Sequence, residues 1–474
     1  MILPDIACAP TACDDPSPVD QLARALDAAP LDVALHTRMR DALREARDDA
    51  GFAAHQLAVA AFAALGDAPP DRLALALYNL ATVYAMKGRA EQAKHWYRHT
   101  LAIHPALASA HQNLAALLDA EGDRDAAAMH RERAYQLQRV FVEPALGVER
   151  RRLLLVGAGR GTGNVPLDAL LEFWTTSRIK YAIDYADDAE DAHLPPFDLA
   201  FNVVGDPDVA DALAARLARF VRRCGRPVLN PPDAVARTHR HRMASLLASV
   251  TDAIVPACAR VESCGMDAVT LARRLAQTGV AFPLLLRPAG AHGGDGVTLH
   301  ASPDTALAAL AQLGGPGYAT AYRDTRSADG YFRKYRIVFV DRVPYPYHLA
   351  ISPHWLVHYF SADMSAAPWK LDEERHFLTD PRAALGEKAM NAIAEIGRRL
   401  DLDYGGIDFA LTPDGQVVVF EANATMLVHR EAPDGPLAHK NPYVDRIADA
   451  FERVLHARAE SPCPDTRRPA PTQP

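Results

Sequence analysis

The chain has 474 residues, a formal net charge of −8, 49% hydrophobic residues and six cysteines. That length gives room for about three domains, the negative balance argues against nucleic acid as the main partner, and no apolar run reaches the roughly 18 residues of a membrane-spanning helix. The start, MILPDIACAPTACDD, lacks a basic segment and a sustained apolar core, and Cys8, Cys13, Cys224, Cys258, Cys264 and Cys463 form no CxxC pair. The expectation is a cytoplasmic protein with reduced thiols and no membrane partner.

Pro-rich composition predicts disordered tails over residues 1–19 and 458–474. Residues 20–141 read as alanine-rich helices. Leu80, Tyr84, Gly88 and Ala93 recur 34 residues later as Leu114, Leu118, Gly122 and Ala127, and Tyr78-Asn79-Leu80-Ala81 is mirrored by Gln112-Asn113-Leu114-Ala115. This period resembles tetratricopeptide repeats, in which helix pairs stack around tight turns. The earlier stretches, Asp20 to Ala28, Ala34 to Asp49 and Ala53 to Leu65, fit the period poorly and are expected to form an atypical first repeat. Stacked repeats usually present a concave surface, so recruitment of a partner, a peptide or a carrier-borne substrate is expected. A brace or a homo-oligomer contact is the alternative.

Residues 150–235 read as an α/β domain. LLLVGAG, a helical stretch around Leu167 to Ser177, FDLAFNVVG, a helix from Val209 to Cys224 and RPVLNPP follow in turn, and such alternation implies a parallel sheet. VGAGRGTG from Val156 begins like a dinucleotide fingerprint, but the third glycine position holds Thr162.

In FPLLLRPAGAHGGDGVTLH, from Phe282, an apolar run ends at Arg287 and opens into a loop with Gly290, Gly293, Gly294 and Gly296. Glycines let backbone N–H groups wrap phosphate oxygens, so a cation at the strand end beside such a loop suits a phosphate. A flexible hairpin connection would look the same. Further on, His348, His354 and His358 lie among Tyr345, Tyr347, Trp355 and Tyr359 and read as a substrate-facing patch or plain surface, since Pro353 interrupts any zinc spacing. Glu373-Glu374-Arg375 reads as a solvated charge run.

YGGIDFALTPDGQVVVFEAN, from Tyr404 to Asn423, contains Asp414-Gly415, a strong hairpin signal. With a two-residue loop Asp408 lies opposite Glu421, with Asn423 on the same face, while Phe409, Leu411, Val418 and Phe420 point to a core. A slip with Pro413 in the loop would instead put Asp408 opposite Phe420. Two carboxylates and an amide are hard oxygen ligands suited to Mg²⁺. An amphipathic hairpin with a polar outer face is the plain alternative.

In this order, about 120 residues apart, the glycine loop and the acidic hairpin resemble the ATP-grasp superfamily, nearest to carboxylate–amine ligases such as glutathione synthetase and D-alanine:D-alanine ligase. The resemblance covers Arg151 to Ala457. It implies a multidomain chain: an α-helical repeat domain, an α/β preliminary domain and a two-lobed α+β ATP-grasp domain, with residues 236–316 as small lobe and 317–457 as large lobe. It implies ATP and Mg²⁺, with Arg242, Arg287 and the loop glycines on the nucleotide, Asp408, Glu421 and Asn423 on the metal, and Arg336 on the transferred phosphoryl group. The implied reaction joins a substrate carboxylate to an amine or other nucleophile through an acyl phosphate, releasing ADP.

Two positions depart from the family pattern. Arg287 and Arg242 stand where lysines are usual, but only seven of the 51 basic residues here are Lys, leaving 51 − 7 = 44 Arg, so the exchange follows a chain-wide bias. In GYATAYRDT, from Gly317, an acidic contact to the adenosine is replaced by Ala319, Thr320 and Ala321. A scaffold that recruits a partner through its repeats and carries an inert or nucleotide-sensing ATP-grasp module is the opposing reading.

Overall fold

The computed structural model describes residues 17–159, 163–262, 265–291 and 294–460. Most of both tails lies outside that range. Their described ends are helical: Ser17 caps a helix that begins at Pro18, and the last helix runs to Glu460. The chain divides into two compact units, Met1–Gln138 and Arg139–Pro474. No helix among the described residues is long and apolar enough to cross a membrane.

The first unit is helical throughout its described residues: α1 (Pro18–Ala28), α2 (Val33–Glu45), α3 (Asp49–Leu65), α4 (Pro70–Met86), α5 (Ala90–Ile103), α6 (Ala108–Glu121) and α7 (Arg124–Leu137). Each packs on the next around a core that includes Leu26, Phe62, Leu80, Tyr97 and Leu114. The turns after α2, α4 and α6 are built alike. Asp48, Arg89 and Asp123 each donate their backbone N–H to the carbonyl five residues back, on Leu43, Tyr84 and Leu118. The residue before each donor has a left-handed backbone: Arg47 at φ 59°, Gly88 at 73° and Gly122 at 87°.

The pair α2–α3 is therefore a third copy of the hairpin, although its sequence fits the 34-residue period poorly. Its copy lies 41 residues before the next, and an arginine holds the position where glycine signals the turn. A second likeness joins the outer copies. His36 and His55 meet Nδ1 to Nδ1 at 3.0 Å while His36 Nε2 donates to Pro30 O at 2.9 Å; His111 and His130 meet at 2.8 Å while His111 Nε2 donates to Pro105 O at 3.0 Å. Because a carbonyl only accepts, each Nε2 carries the proton, so His36 and His111 accept at Nδ1 from His55 and His130.

The described residues of the second unit form three sheets. The first joins β1 (Val140–Glu143), β2 (Arg151–Gly157), β3 (Thr176–Ala182), β4 (Leu199–Asn202) and β5 (Val228–Leu229) in the order β1-β3-β2-β4-β5. All its pairs are parallel except the antiparallel edge β1–β3. The expected helix after Val209 is present as Pro207–Arg223. The expected helix around Leu167 to Ser177 is not: residues 163–175 are turns and extended chain, and β3 begins at Thr176. Pro166 and the β-branched pair Thr175-Thr176 favour extended chain over helix. A dinucleotide fingerprint also needs a helix at that point.

The small antiparallel sheet takes β7 (Cys258–Val261), β8 (Leu284–Pro288), β9 (Thr298–His300) and β10 (Gly317–Ala321) in the order β7-β10-β8-β9. Helices Ala268–Gln277 and Pro303–Gln312 bury Leu271, Leu275 and Leu310 with the sheet residues Leu284 and Leu286. The large sheet takes β6 (Ala253–Ile254), β11 (Phe332–Val340), β12 (Val343–Ser352), β13 (Tyr404–Leu411) and β14 (Val417–Asn423) in the order β12-β11-β13-β14-β6. The two sheets do not divide at residue 316. β10 lies beyond residue 316 yet pairs with β7 and β8, while β6 lies before it yet pairs with β14.

The first sheet shares cores with the large one. Leu153, Leu155 and Phe201 cluster with Val338, Tyr404 and Phe451, and the Asn230 side chain bonds the backbone of Asp403 and Tyr404 at 2.7–3.1 Å. This buried amide fixes the start of β13, the strand that carries Asp408.

Candidate active site

Four side chains form a row across one face of the large sheet. His348 on β12 is the register partner of Arg336 on β11, Arg336 of Asp408 on β13, and Asp408 of Glu421 on β14. Arg336 closes a two-bonded ion pair on Asp408, Nε to Oδ1 at 2.6 Å and Nη2 to Oδ2 at 2.9 Å. Lys334 lies two residues along, hence on the same face, and its Nζ is 3.2 Å from Asp408 Oδ2. Glu421 is held by Arg240 at 2.6 Å, with Arg287 at 3.5 Å. Arg240 opens the helix Arg240–Leu246 and Arg287 stands near the end of β8.

The hairpin reaches the expected pairing by an unexpected route. Its last pair is Leu411 with Val417, so Pro413 is in the loop and the register near the turn is slipped by one. A bulge at Phe420 then restores Asp408 opposite Glu421. As a result Val417 and Val419 share the core cluster of Phe409, Val418 is fully buried outside that cluster, and Phe420 leaves the core. Phe420 is 38% exposed and lines the cavity. β13 can lie this close to β11 because Gly406 has no side chain: a Cβ there would sit 2.5 Å from Ile337 O.

These groups face a cavity of about 600 Å³. Its other walls include Gly163 and Asn164, which follow β2, Gly294 of the glycine loop, and Ala321 and Tyr322, which leave β10. Tyr347, Trp355, His358, Tyr359 and Phe360 supply an aromatic wall, so the predicted patch does face the cavity, without His354 or Tyr345. Behind it stands a buried charge network. Glu374 accepts from Leu349 N, Tyr359 Oη and His439 Nε2 at 2.9–3.2 Å, and buried Lys440 pairs with Glu431 at 2.6 Å and lies 4.1 Å from the Tyr359 ring centroid. Glu374 is therefore no part of a solvated run, and Glu373 pairs with Arg333 at 2.5 Å.

The electrostatics favour ionised carboxylates and a neutral imidazole. Burial alone would raise both carboxyls, but Arg336 and Lys334 hold Asp408 well below its usual range, and Arg240, opposed in part by Asp408, pulls Glu421 down to about 2. Burial first, then Arg336, pushes His348 well below its ordinary value, and its Nε2 is without a hydrogen-bond partner. Arg287 Nε is likewise unpartnered, while its Nη2 donates to Ala291 O.

Among the other sequence-predicted residues, Asn423 lines the cavity and its Oδ1 accepts from Thr425 N at 2.6 Å. Gly290, Gly294 and Gly296 take positive φ of 73°, 83° and 65°; Gly290 lines a separate void of about 20 Å³ beside Arg240 and Arg287. Gly293 lies outside the described residues. Arg242 is exposed and does not reach the cavity; Arg240, two residues earlier, does. Sequence reasoning also missed Lys334, although the alternation in FRKYRIVFV puts it on the face of Arg336.

No protein-family profile matches the chain, and no curated protein matches it. Among solved structures it is similar to the ATP-grasp ligase PsnB complexed with a phosphomimetic variant of minimal precursor, Mg and ADP. That match has a TM-score of 0.36 and 12% identity, covering 65% of this chain and 99% of that one. It is also similar to a RimK domain protein ATP-grasp from Sphaerobacter thermophilus (0.38, 20%, 64% and 99%) and to D-alanyl-alanine synthetase A from Vibrio cholerae O1 (0.40, 12%, 66% and 99%).

Proposed function

We propose that the chain is an ATP-dependent ligase of the ATP-grasp kind, joining a carboxylate to an amine or another nucleophile. The observation that carries this reading is the balance of charge at the cavity floor. Four cations, Arg240, Arg287, Lys334 and Arg336, contact two carboxylates, Asp408 and Glu421. Beyond those contacts two of these four positive charges stand uncompensated, in a largely desolvated pocket that Arg323 and Arg333 also line, Arg333 being paired with Glu373 and Asp329. A magnesium–nucleotide triphosphate, carrying about two negative charges, neutralises that excess, each half of the site taking a complementary partner.

The donor set fits the metal. Asp408, Glu421 and Asn423 offer hard oxygens on adjacent strands, as Mg²⁺ prefers, and the buried, unpartnered Nε of Arg287 faces a shortage of acceptors that phosphate oxygens would meet. When bound, Mg²⁺ supplies charge neutralisation and orientation to the phosphoryl group. The chain's own part is positioning. Arg336 and Lys334 are released from Asp408 to face phosphoryl oxygens, Gly294 offers its backbone N–H, and Tyr322, Phe420 and the aromatic wall exclude water. His348, kept neutral by burial and by Arg336 and unpartnered at Nε2, offers the cavity an uncharged hydrogen-bonding group on the same sheet face.

The α2–α7 hairpins, read as tetratricopeptide-like repeats, support recruitment of a peptide or carrier-borne substrate. ADP release measured over a panel of amino acids, dipeptides and amines tests the proposal. Substrate-dependent release supports it, and release at the background rate across the panel counts against it.

A further inference from the structure

We propose that Asp27, His95 and His99 form a binding site for a divalent transition metal of the zinc class. His95 and His99 are four apart on α5 and so share one helix face. Asp27 reaches them from the last turn of α1. One carboxylate oxygen, Asp27 Oδ1, lies 2.9 Å from His95 Nε2 and 3.4 Å from His99 Nε2. All three candidate ligand atoms lie within 4.8 Å of one another.

Tetrahedral zinc with bonds of about 2.0–2.1 Å puts its ligand atoms roughly 3.3 Å apart. Both distances to Asp27 are already within half an ångström of that edge, and the third pair of ligand atoms is no more than 4.8 Å apart, so side-chain rotation can close the set around an ion. The imidazole rings stand at 76° with centroids 4.6 Å apart, an arrangement that lets both Nε2 atoms converge. His95 and Asp27 are half exposed, so water can complete the coordination sphere. Two imidazoles with one carboxylate favour zinc-class ions over Mg²⁺, which separates this site from the acidic hairpin.

The ligands come from helices separated in sequence by α2, α3 and α4, so a bound ion would clamp the first helix to α5. Trp96 reports on it: its ring lies 5.2 Å from that of His95 and 5.4 Å from that of His99.

The test uses the full-length, tag-free chain, stripped with EDTA and desalted, titrated with Zn²⁺ by calorimetry and followed by tryptophan fluorescence. His95→Gln, His99→Gln and Asp27→Asn serve as variants, with far-UV circular dichroism to confirm folding. The expected result is a Zn²⁺ equivalent whose affinity falls at least about 10-fold in each histidine variant, as even loss of a supporting ligand contact costs 10–100-fold. The fluorescence response is expected to fall with it. An isotherm unchanged in His95→Gln, or no Zn²⁺ uptake by the parent, overturns the proposal. Should His99→Gln lose its helical signal, His95→Gln, at a half-exposed position, decides alone.

Discussion

Arg336 and Asp408 are register partners on neighbouring strands, and the guanidinium spans both carboxylate oxygens at 2.6 and 2.9 Å with Asp408 only 2% exposed. A carboxylate buried to that degree is tolerable only because the fork and the Lys334 ammonium neutralise it. Removing one partner of a buried pair costs about 3–5 kcal/mol. Arg336→Met is expected to lower stability toward that figure, moderated by Lys334. Arg336→Met/Asp408→Asn together should cost less than the two single changes added, as read from a denaturant double-mutant cycle.

The same pairs set an acid limit. Asp408 and Glu421 have folded pKa values depressed below the unfolded ones, so their stabilisation is complete above pH of about 4.5 and is lost as pH falls through the folded values. Unfolding of the second unit should therefore steepen between about pH 4.5 and 2. Glu421→Gln should flatten that dependence in urea titrations across the range.

Histidines give the first unit a different window. Burial, and then His36, pulls His55 down to about 3, so the unfolded chain takes up this proton first as pH falls below about 6.5. Stability contributed by the neutral His36–His55 pair is present above that pH and drains away toward pH 3. Thermal melts followed at 222 nm should show His55→Leu to be less acid-sensitive than the parent. A parallel pH dependence in the two would be the contrary result.

Exchanging neighbouring arginines separates the structural assignment from the sequence-based one. Arg240 touches Glu421 and lines the cavity, whereas Arg242 is exposed away from it. A hydrogen bond to a charged group is worth about 1.5–3 kcal/mol, roughly 10–150-fold in affinity. Arg240→Ala and Arg287→Ala should weaken nucleotide binding by that order, with Arg287→Lys retaining more, and Arg242→Ala should leave it unchanged in an equilibrium titration.

Much of this was legible in the sequence because the informative residues sit in regular strands. Asp408 and Glu421 follow from period-two geometry and Arg287 from its place at a strand end before a glycine loop, whereas Arg336 came from the family resemblance alone. What was hidden had specific causes. The hairpin slip and the bulge at Phe420 cancel, so a right pairing came from a wrong loop, and the exposed Phe420 betrays it. The first helical hairpin was obscured by a 41-residue spacing and by Arg47 doing what Gly88 and Gly122 do. Arg240 was passed over for Arg242 because THRHRM offers several cations, and only the helix start at Arg240 decides which one faces Glu421.

The coupling between metal and nucleotide at the acidic hairpin bears most directly on the central claim. The affinity of ADP and of a non-hydrolysable ATP analogue should be measured with excess Mg²⁺ and again with EDTA, in the parent, Asp408→Asn and Glu421→Gln. The account requires Mg²⁺ to tighten binding at least about 10-fold, 1.4 kcal/mol, in the parent, and this gain to vanish in both variants while they remain folded. Equal affinity with and without Mg²⁺ in the parent, or an undiminished gain in the variants, would contradict it.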